Sequence, residues 1–149
     1  MKAKRTRPVI LLADDDPDDR EMVREALQEA GVACDIREVA DGEELIDYLM
    51  QQGRYAEAAT APAPDLIFLD LNMPKVNGFE ALARIRAEPR IASIPVLVLS
   101  TADAPEQVRK VYAEGGQTYL VKPASFDRLV ETMQRTEQYW CDTAVLPPH

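Results

Sequence analysis

Four short stretches hold the residues best equipped for chemistry: the paired acids Asp14-Asp15, then Asp70, Ser100 and Lys122. Carboxylates brought together repel one another, and a hard divalent cation offsets that repulsion. Magnesium suits such an oxygen-rich donor set. Zinc has little support, because no cysteine or histidine stands near these acids in sequence and His149 sits at the chain end. Asp70 offers a carboxylate, a competent nucleophile toward phosphorus. As a phosphoryl group transfers, negative charge spreads over its equatorial oxygens, so cations and hydrogen-bond donors must surround them. Lys122 supplies an ammonium and Ser100 a hydroxyl. Plainer roles compete for the same residues: acids at helix starts serve as caps, Lys122 as a solvated strand end, Ser100 as a turn hydroxyl.

Chemistry at these positions requires elements that bring them together. Val9 to Ala13 is a continuous apolar run, as expected of a strand covered on both faces, and it ends at Asp14. A helix is predicted next, with Asp16 as its cap, Pro17 in the first position, Asp19 at the capping-box spacing and Gly31 as its stop. Cys34 to Val39 reads as a second strand, and Asp41 with Glu44 repeats the capping pattern before the stripe Leu45, Ile46, Leu49 and Met50. Tyr55 to Pro64 reads as a loop or an extended helix end. Leu66 to Leu69 is a third strand, ending at Asp70, and after the Pro74 to Gly78 turn a helix carries Phe79, Leu82, Ala83 and Ile85 and stops near Pro89. Val96 to Leu99 is a fourth strand, ending at Ser100; Pro105 to Glu114 is helical, with Gly115-Gly116 as its stop. Tyr119 to Val121 is a fifth strand, ending at Lys122, and Ser125 to Tyr139 or Trp140 forms a last helix with Phe126, Leu129, Val130 and Met133 inward.

Strands alternating with helices predict an α/β fold: a doubly wound, five-stranded parallel sheet with five helices and right-handed crossovers. Such sheets place working residues beyond the carboxyl ends of their strands, which is where the acids, the serine and the lysine fall. At 149 residues one domain over 1–149 is expected, with a core of about 8–140 and a short tail, 141–149, too small to fold by itself. A formal charge of -9 disfavours a nucleic-acid backbone as partner. The two cysteines, Cys34 and Cys141, lack CxxC spacing, the apolar run after the basic start is too short for a signal peptide, and no membrane-spanning run is present, so a cytoplasmic setting is expected.

From Val9 to about Met133 the chain resembles the response-regulator receiver family. The resemblance rests on Leu12-Ala13-Asp14-Asp15-Asp16, Leu69-Asp70-Leu71-Asn72-Met73-Pro74, Gly78, Leu99-Ser100-Thr101-Ala102 and Leu120-Val121-Lys122-Pro123. Ser100 and Lys122 follow Asp70 by 30 and 52 positions, the family's usual separations. It implies a flavodoxin-like strand order 2-1-3-4-5 and a phosphoacceptor in a two-component phosphorelay, taking its phosphoryl group from a histidine kinase. By this resemblance Asp70 is the acceptor and Asp15 the principal magnesium carboxylate, Asp14 acts mainly through water, and Asn72 lends its backbone carbonyl. Ser100 is the phosphate-sensing hydroxyl, Tyr119 the aromatic switch, and the Lys122–Pro123 bond is expected to be cis. Autophosphorylation from small donors and slow autodephosphorylation are implied as well.

A finer likeness, to small receivers paired with phytochrome-type histidine kinases, rests on Asp16-Pro17, Asp47-Tyr48-Leu49, Gly53-Arg54-Tyr55, the Ala-rich insertion before Pro64-Asp65, Leu71 to Lys75, Tyr139-Trp140 and Leu146-Pro147. It implies a light-regulated kinase as donor and a homodimer using the last helix and tail. Three other functions compete. A magnesium-dependent phosphohydrolase would carry a second Asp two positions after its nucleophile, where this chain has Asn72, which cannot exchange protons in that role. A non-phosphorylated interaction module or nucleotide-binding domain is disfavoured by the occupied acceptor, metal and lysine positions and by the absence of a glycine-rich phosphate loop. A phosphate sink or intermediate carrier would use the same Asp70 chemistry.

Overall fold

The computed structural model describes residues 7–57, 61–73, 75–143 and 146–147. Each apolar run identified in the sequence forms a strand: β1 Val9–Ala13, β2 Asp35–Val39, β3 Leu66–Leu69, β4 Val96–Ser100 and β5 Thr118–Val121. All neighbours pair in parallel, in the order β2-β1-β3-β4-β5. The second strand begins at Asp35, one residue later than expected, because the Asp35 N–H is the first of its segment to enter the ladder, donating to Pro8 O at 2.8 Å.

Five α-helices cover the sheet: α1 Pro17–Glu29, α2 Gly42–Met50, α3 Gly78–Ala87, α4 Pro105–Ala113 and α5 Phe126–Glu137. Strand side chains alternate between faces, which fixes the layer each helix joins. Leu11, Ala13, Ile67, Leu69 and Val96 face α2 and α3, while Ile10, Leu12, Phe68, Leu97 and Leu99 face Val23, Ala26 and Leu27 of α1 and Leu129 and Met133 of α5. Val98 and Leu71 pack with Val111 of α4. Burying an aliphatic side chain of this size stabilises by about 1.5–3 kcal/mol, so the buried central strands β1, β3 and β4 anchor the strand ends, while β2 and β5 at the edges are only partly covered.

Local caps set where the helices begin. Asp16 accepts from Asp18 N–H at 2.9 Å, Asp41 from Glu44 N–H at 2.7 Å, and Ser125 from Arg128 N–H at 3.2 Å. Glu44 reaches back to accept from Ala40 N–H at 2.6 Å, one residue before the cap. The capping box expected at α1 does not close: Asp16 N–H donates instead to Asp14 Oδ1 at 3.0 Å, and Asp19 points elsewhere.

Tyr55 lies in a short 3-10 turn, Gly53–Tyr55, and its ring packs 5.1 Å from that of Tyr48. Pro74 and residues 58–60, part of the predicted turn and of the Ala-rich insertion, lie outside the described residues. Two expectations for the last helix are corrected. Phe126 is exposed, not inward, because it stands on the first turn before the helix descends onto the sheet. Regular α-helix ends at Glu137 and widens into a π-helical turn, Gln138–Thr143, that seats Trp140 and Cys141 against the α1/α5 layer, joined there by Leu146.

Candidate functional site

The carboxyl ends of β1, β3, β4 and β5 converge on one rim of the sheet. Asp14, Asp15 and Asp70 each present a carboxylate oxygen there, all within 4.8 Å of one another. Their commitments differ. Asp14 is buried with both oxygens engaged: Oδ1 accepts from Asp16 N–H at 3.0 Å and Oδ2 from Lys122 Nζ at 3.0 Å. Asp15 is exposed and Asp70 half-buried. Asp70 is anchored through its own N–H, which donates to Ala13 O at 2.9 Å, tying the end of β3 to that of β1.

Charge is concentrated at this rim. Burial, followed by the neighbouring Asp14 carboxylate, pushes Asp70 up to about 6, against the pull of Lys122 and of a hydrogen bond from Asn72 N–H. Such a carboxylate is held out of balance until a cation relieves it. The donor set, hard oxygens only, fits magnesium or manganese and not a thiophilic metal.

Lys122 follows β5 and reaches across the rim with its side chain only 14% exposed. Its ammonium donates to Asp14 and, at 3.1 Å, to Asp19 Oδ2 on the first turn of α1. Burial alone would lower its pKa; the hydrogen bonds and charges of the two aspartates outweigh that and raise it. The Lys122–Pro123 peptide, expected cis, is trans, the isomer ordinary X–Pro energetics favour. Ser100 closes β4 fully buried, its hydroxyl accepting from Ala102 N–H at 3.2 Å. Tyr119 donates its phenol proton to Ala102 O at 2.6 Å and accepts from Gln107 Nε2 at 2.9 Å. Ser100 and Tyr119 therefore meet at one residue, Ala102. Asn72 has an exposed side chain and contributes through its backbone.

Three further residues shape the rim: Asp19, Arg20 and Gly78. Asp19, expected at the capping-box position, instead accepts from Lys122 Nζ from within the first turn of α1. Arg20 clamps Asp14 by donating to its carbonyl at 2.6 Å while pairing with Glu38 at 3.0 Å. Gly78 packs α3 against the Asp70 loop so closely that a Cβ there would lie 2.7 Å from Asp70 O and 2.5 Å from Leu71 Cα. A side chain at that position would displace the loop holding the carboxylate.

Comparison with known proteins agrees with this architecture. The response regulator receiver domain profile matches residues 10–134. The response regulator Rcp1 of Synechocystis sp. is 36% identical over 139 residues, covering 93% of this chain and 92% of Rcp1. Its structure in a Mn2+-bound form superposes with a TM-score of 0.83 at 35% identity, over 95% of this chain and 99% of the other. The response regulator RPA3017, from red light signalling in R. palustris, superposes with a TM-score of 0.91 at 33% identity, over 95% and 99% of the two chains. The phosphorylated cyanobacterial phytochrome response regulator RcpA gives 0.87 at 37% identity, over 96% and 100%. With the profile spanning nearly the whole sheet and relatives aligned end to end, the chain belongs to the response regulator receiver domain family.

Proposed function

We propose that this chain accepts a phosphoryl group on Asp70 from a phytochrome-type histidine kinase, with magnesium at the rim, and works in the cytoplasm. The observation that carries the reading is the meeting of the Asp14, Asp15 and Asp70 carboxylates within 4.8 Å, with the Lys122 ammonium bonded to the same cluster. The likeness to RcpA, a phytochrome response regulator, and to RPA3017, from red light signalling, supports this class of donor.

Asp15 and Asp70, whose carboxylates are more accessible than that of Asp14, would hold the ion directly, and Asp14, engaged on both oxygens, would act through water. The backbone carbonyl of Asn72 is assigned to the same shell. When bound, the ion supplies positive charge that relieves the carboxylates and the phosphoryl oxygens. An Asp70 oxygen attacks phosphorus in line; a P–O bond forms as the P–N bond of the donor phosphohistidine breaks, and its electron pair returns to the imidazole nitrogen. Lys122 and the Ser100 hydroxyl then donate to the phosphoryl oxygens.

A signal can leave through Ala102. If Ser100 turns toward the phosphoryl group it releases Ala102 N–H, and a shift of Ala102 alters the carbonyl holding Tyr119. The face formed by α4, β5 and α5 would change with it, a two-state bias set by local charge. Amide shifts of the free and phosphorylated forms should differ across that face; change restricted to the acidic loops would reject this route. Homodimerisation through the last helix falls to Tyr139, which is exposed while its neighbour Trp140 packs on its own core. Sedimentation of a Tyr139→Ser variant as an unchanged dimer would remove it from the contact.

The decisive test of the chemistry is intact mass after incubation with magnesium and a small phosphoryl donor. The native chain should gain one phosphoryl group, and Asp70→Asn none. An equal gain in both would transfer the acceptor role elsewhere.

A further inference from the structure

Resting on the reading of Asp70 as phosphoacceptor, we infer that Asp19 is a positioning residue that retains the Lys122 ammonium on the α1 side of the site and yields it when a phosphoryl group arrives. An ammonium has three N–H donors. Two of them are taken by aspartates, Asp14 at 3.0 Å and Asp19 at 3.1 Å. Both anchors lie toward β1 and α1, and one of them, Asp19, is outside the acidic cluster; Lys122 acts on Asp70 through its charge while its hydrogen bonds go to these two.

The two anchors are not equivalent. Asp14 is fixed from several directions: its side chain is 10% exposed, Asp16 N–H occupies its other oxygen, and Arg20 grips its carbonyl. Asp19 stands on the outer side of the helix start with its side chain 39% exposed. Water can replace the ammonium at this partly exposed carboxylate more easily than at Asp14. A phosphoryl group, carrying close to two negative charges, outbids a single solvated carboxylate. Lys122 would swing about its flexible stem, keep Asp14 and exchange Asp19 for a phosphoryl oxygen. Asp19 thereby raises the threshold for phosphorylation, and most of all for small anionic donors that bring no kinase surface to offset its charge.

A structural role predicts the opposite sign. Asp19 lies in the first turn of α1, where an acid favours the helix, so its loss through that route would only loosen the site and slow transfer. At saturating magnesium, Asp19→Asn should take phosphoryl from a small donor about three- to tenfold faster than the native chain, as expected for one charge removed at partly solvated range. Asp19→Glu, which restores the charge, should return the native rate. Acceleration must also pass through the lysine: in a Lys122→Met background, Asp19→Asn should leave the rate unchanged, whereas bulk charge repulsion would persist. A readout independent of turnover is the Lys122 Cε resonance, which should shift on adding beryllium fluoride to the native chain and lie part-way along that shift in unliganded Asp19→Asn. A native chain that gains mass while Asp19→Asn reacts equally or more slowly overturns this inference and leaves Asp70 in place. A native chain that gains no mass overturns the phosphoacceptor reading itself.

Discussion

The sheet carries a half-buried cation at each end, and the two are satisfied in opposite ways. At the carboxyl rim Lys122 is paired with two carboxylates among an excess of acid, and its proton is held more tightly than usual. At the amino edge Arg86 donates to Gly115 O at 2.8 Å, Ala92 O at 2.8 Å and Ile94 O at 3.0 Å, and to the side-chain oxygen of Gln117. Those acceptors are uncharged, and burial lowers the pKa of Arg86. The same Gln117 oxygen accepts from Val96 N–H at 2.8 Å, so the arginine fastens the end of α3 to the starts of β4 and β5. Gly115, at φ +99°, allows the approach: a Cβ there would lie 2.9 Å from the Arg86 side chain. A fixed, multidentate guanidinium suits a permanent clasp, and a flexible ammonium between two acids suits a group that changes partner. One end of the sheet is clasped by neutral acceptors, the other paired with acids.

Removing each cation separates the two roles. Lys122→Ala should lower phosphoryl uptake by about 10²–10³-fold, the usual cost of losing one preorganised donor to developing charge, measured as the initial rate of mass gain. Its folding stability should change less than that of Arg86→Met, since Asp14 keeps the bond from Asp16 N–H and Asp19 is partly solvated. Arg86→Met should do the reverse. Stranding several carbonyls of the α3, β4 and β5 junction should cost about 2–4 kcal/mol in urea denaturation, with phosphoryl uptake of the folded protein preserved. If Arg86→Met spared stability, or slowed transfer as much as Lys122→Ala, the division between the two ends would fail.

A smaller effect follows from Asp70, whose pKa of about 6 lies above the ordinary carboxylate value of 3.8. Between these values the native state binds more protons than the unfolded chain, so in metal-free buffer its stability falls as pH rises from about 4 to 6. Discounted for the solvent at the rim, the loss is about 1–2 kcal/mol. Asp70→Asn should therefore be the more stable protein at pH 7 without metal and lose that advantage near pH 4. Magnesium, binding the native form, should narrow the gap at pH 7. An advantage independent of pH would show that the acidic rim is not under electrostatic strain.

Much of this arrangement was legible in the sequence, for local reasons. Continuous apolar runs demand a covered sheet, alternation within them assigns each residue to a face, and strands ending in Asp14-Asp15, Asp70, Ser100 and Lys122 bring those side chains to one rim once the sheet is parallel. Caps such as Asp16 and Asp41 depend on neighbours two or three residues away and could be read directly. Arg86 gave no comparable signal, since an arginine late in an amphipathic helix is ordinarily solvated.

The sequence by itself determined the order of elements, the layers and the carboxyl rim. Only the tertiary structure decided which acid pairs with which cation. Asp16 and Asp19 are the same acid three residues apart, yet Asp16 caps the helix from just before its first turn while Asp19, within that turn, holds an ammonium from a residue 103 positions away. The outward turn of Phe126 and the trans Lys122–Pro123 bond were settled at the same level. The physical reason is range: backbone hydrogen bonding and hydrophobic alternation act over a few residues, whereas charge pairing depends on distances that exist only after the sheet has closed.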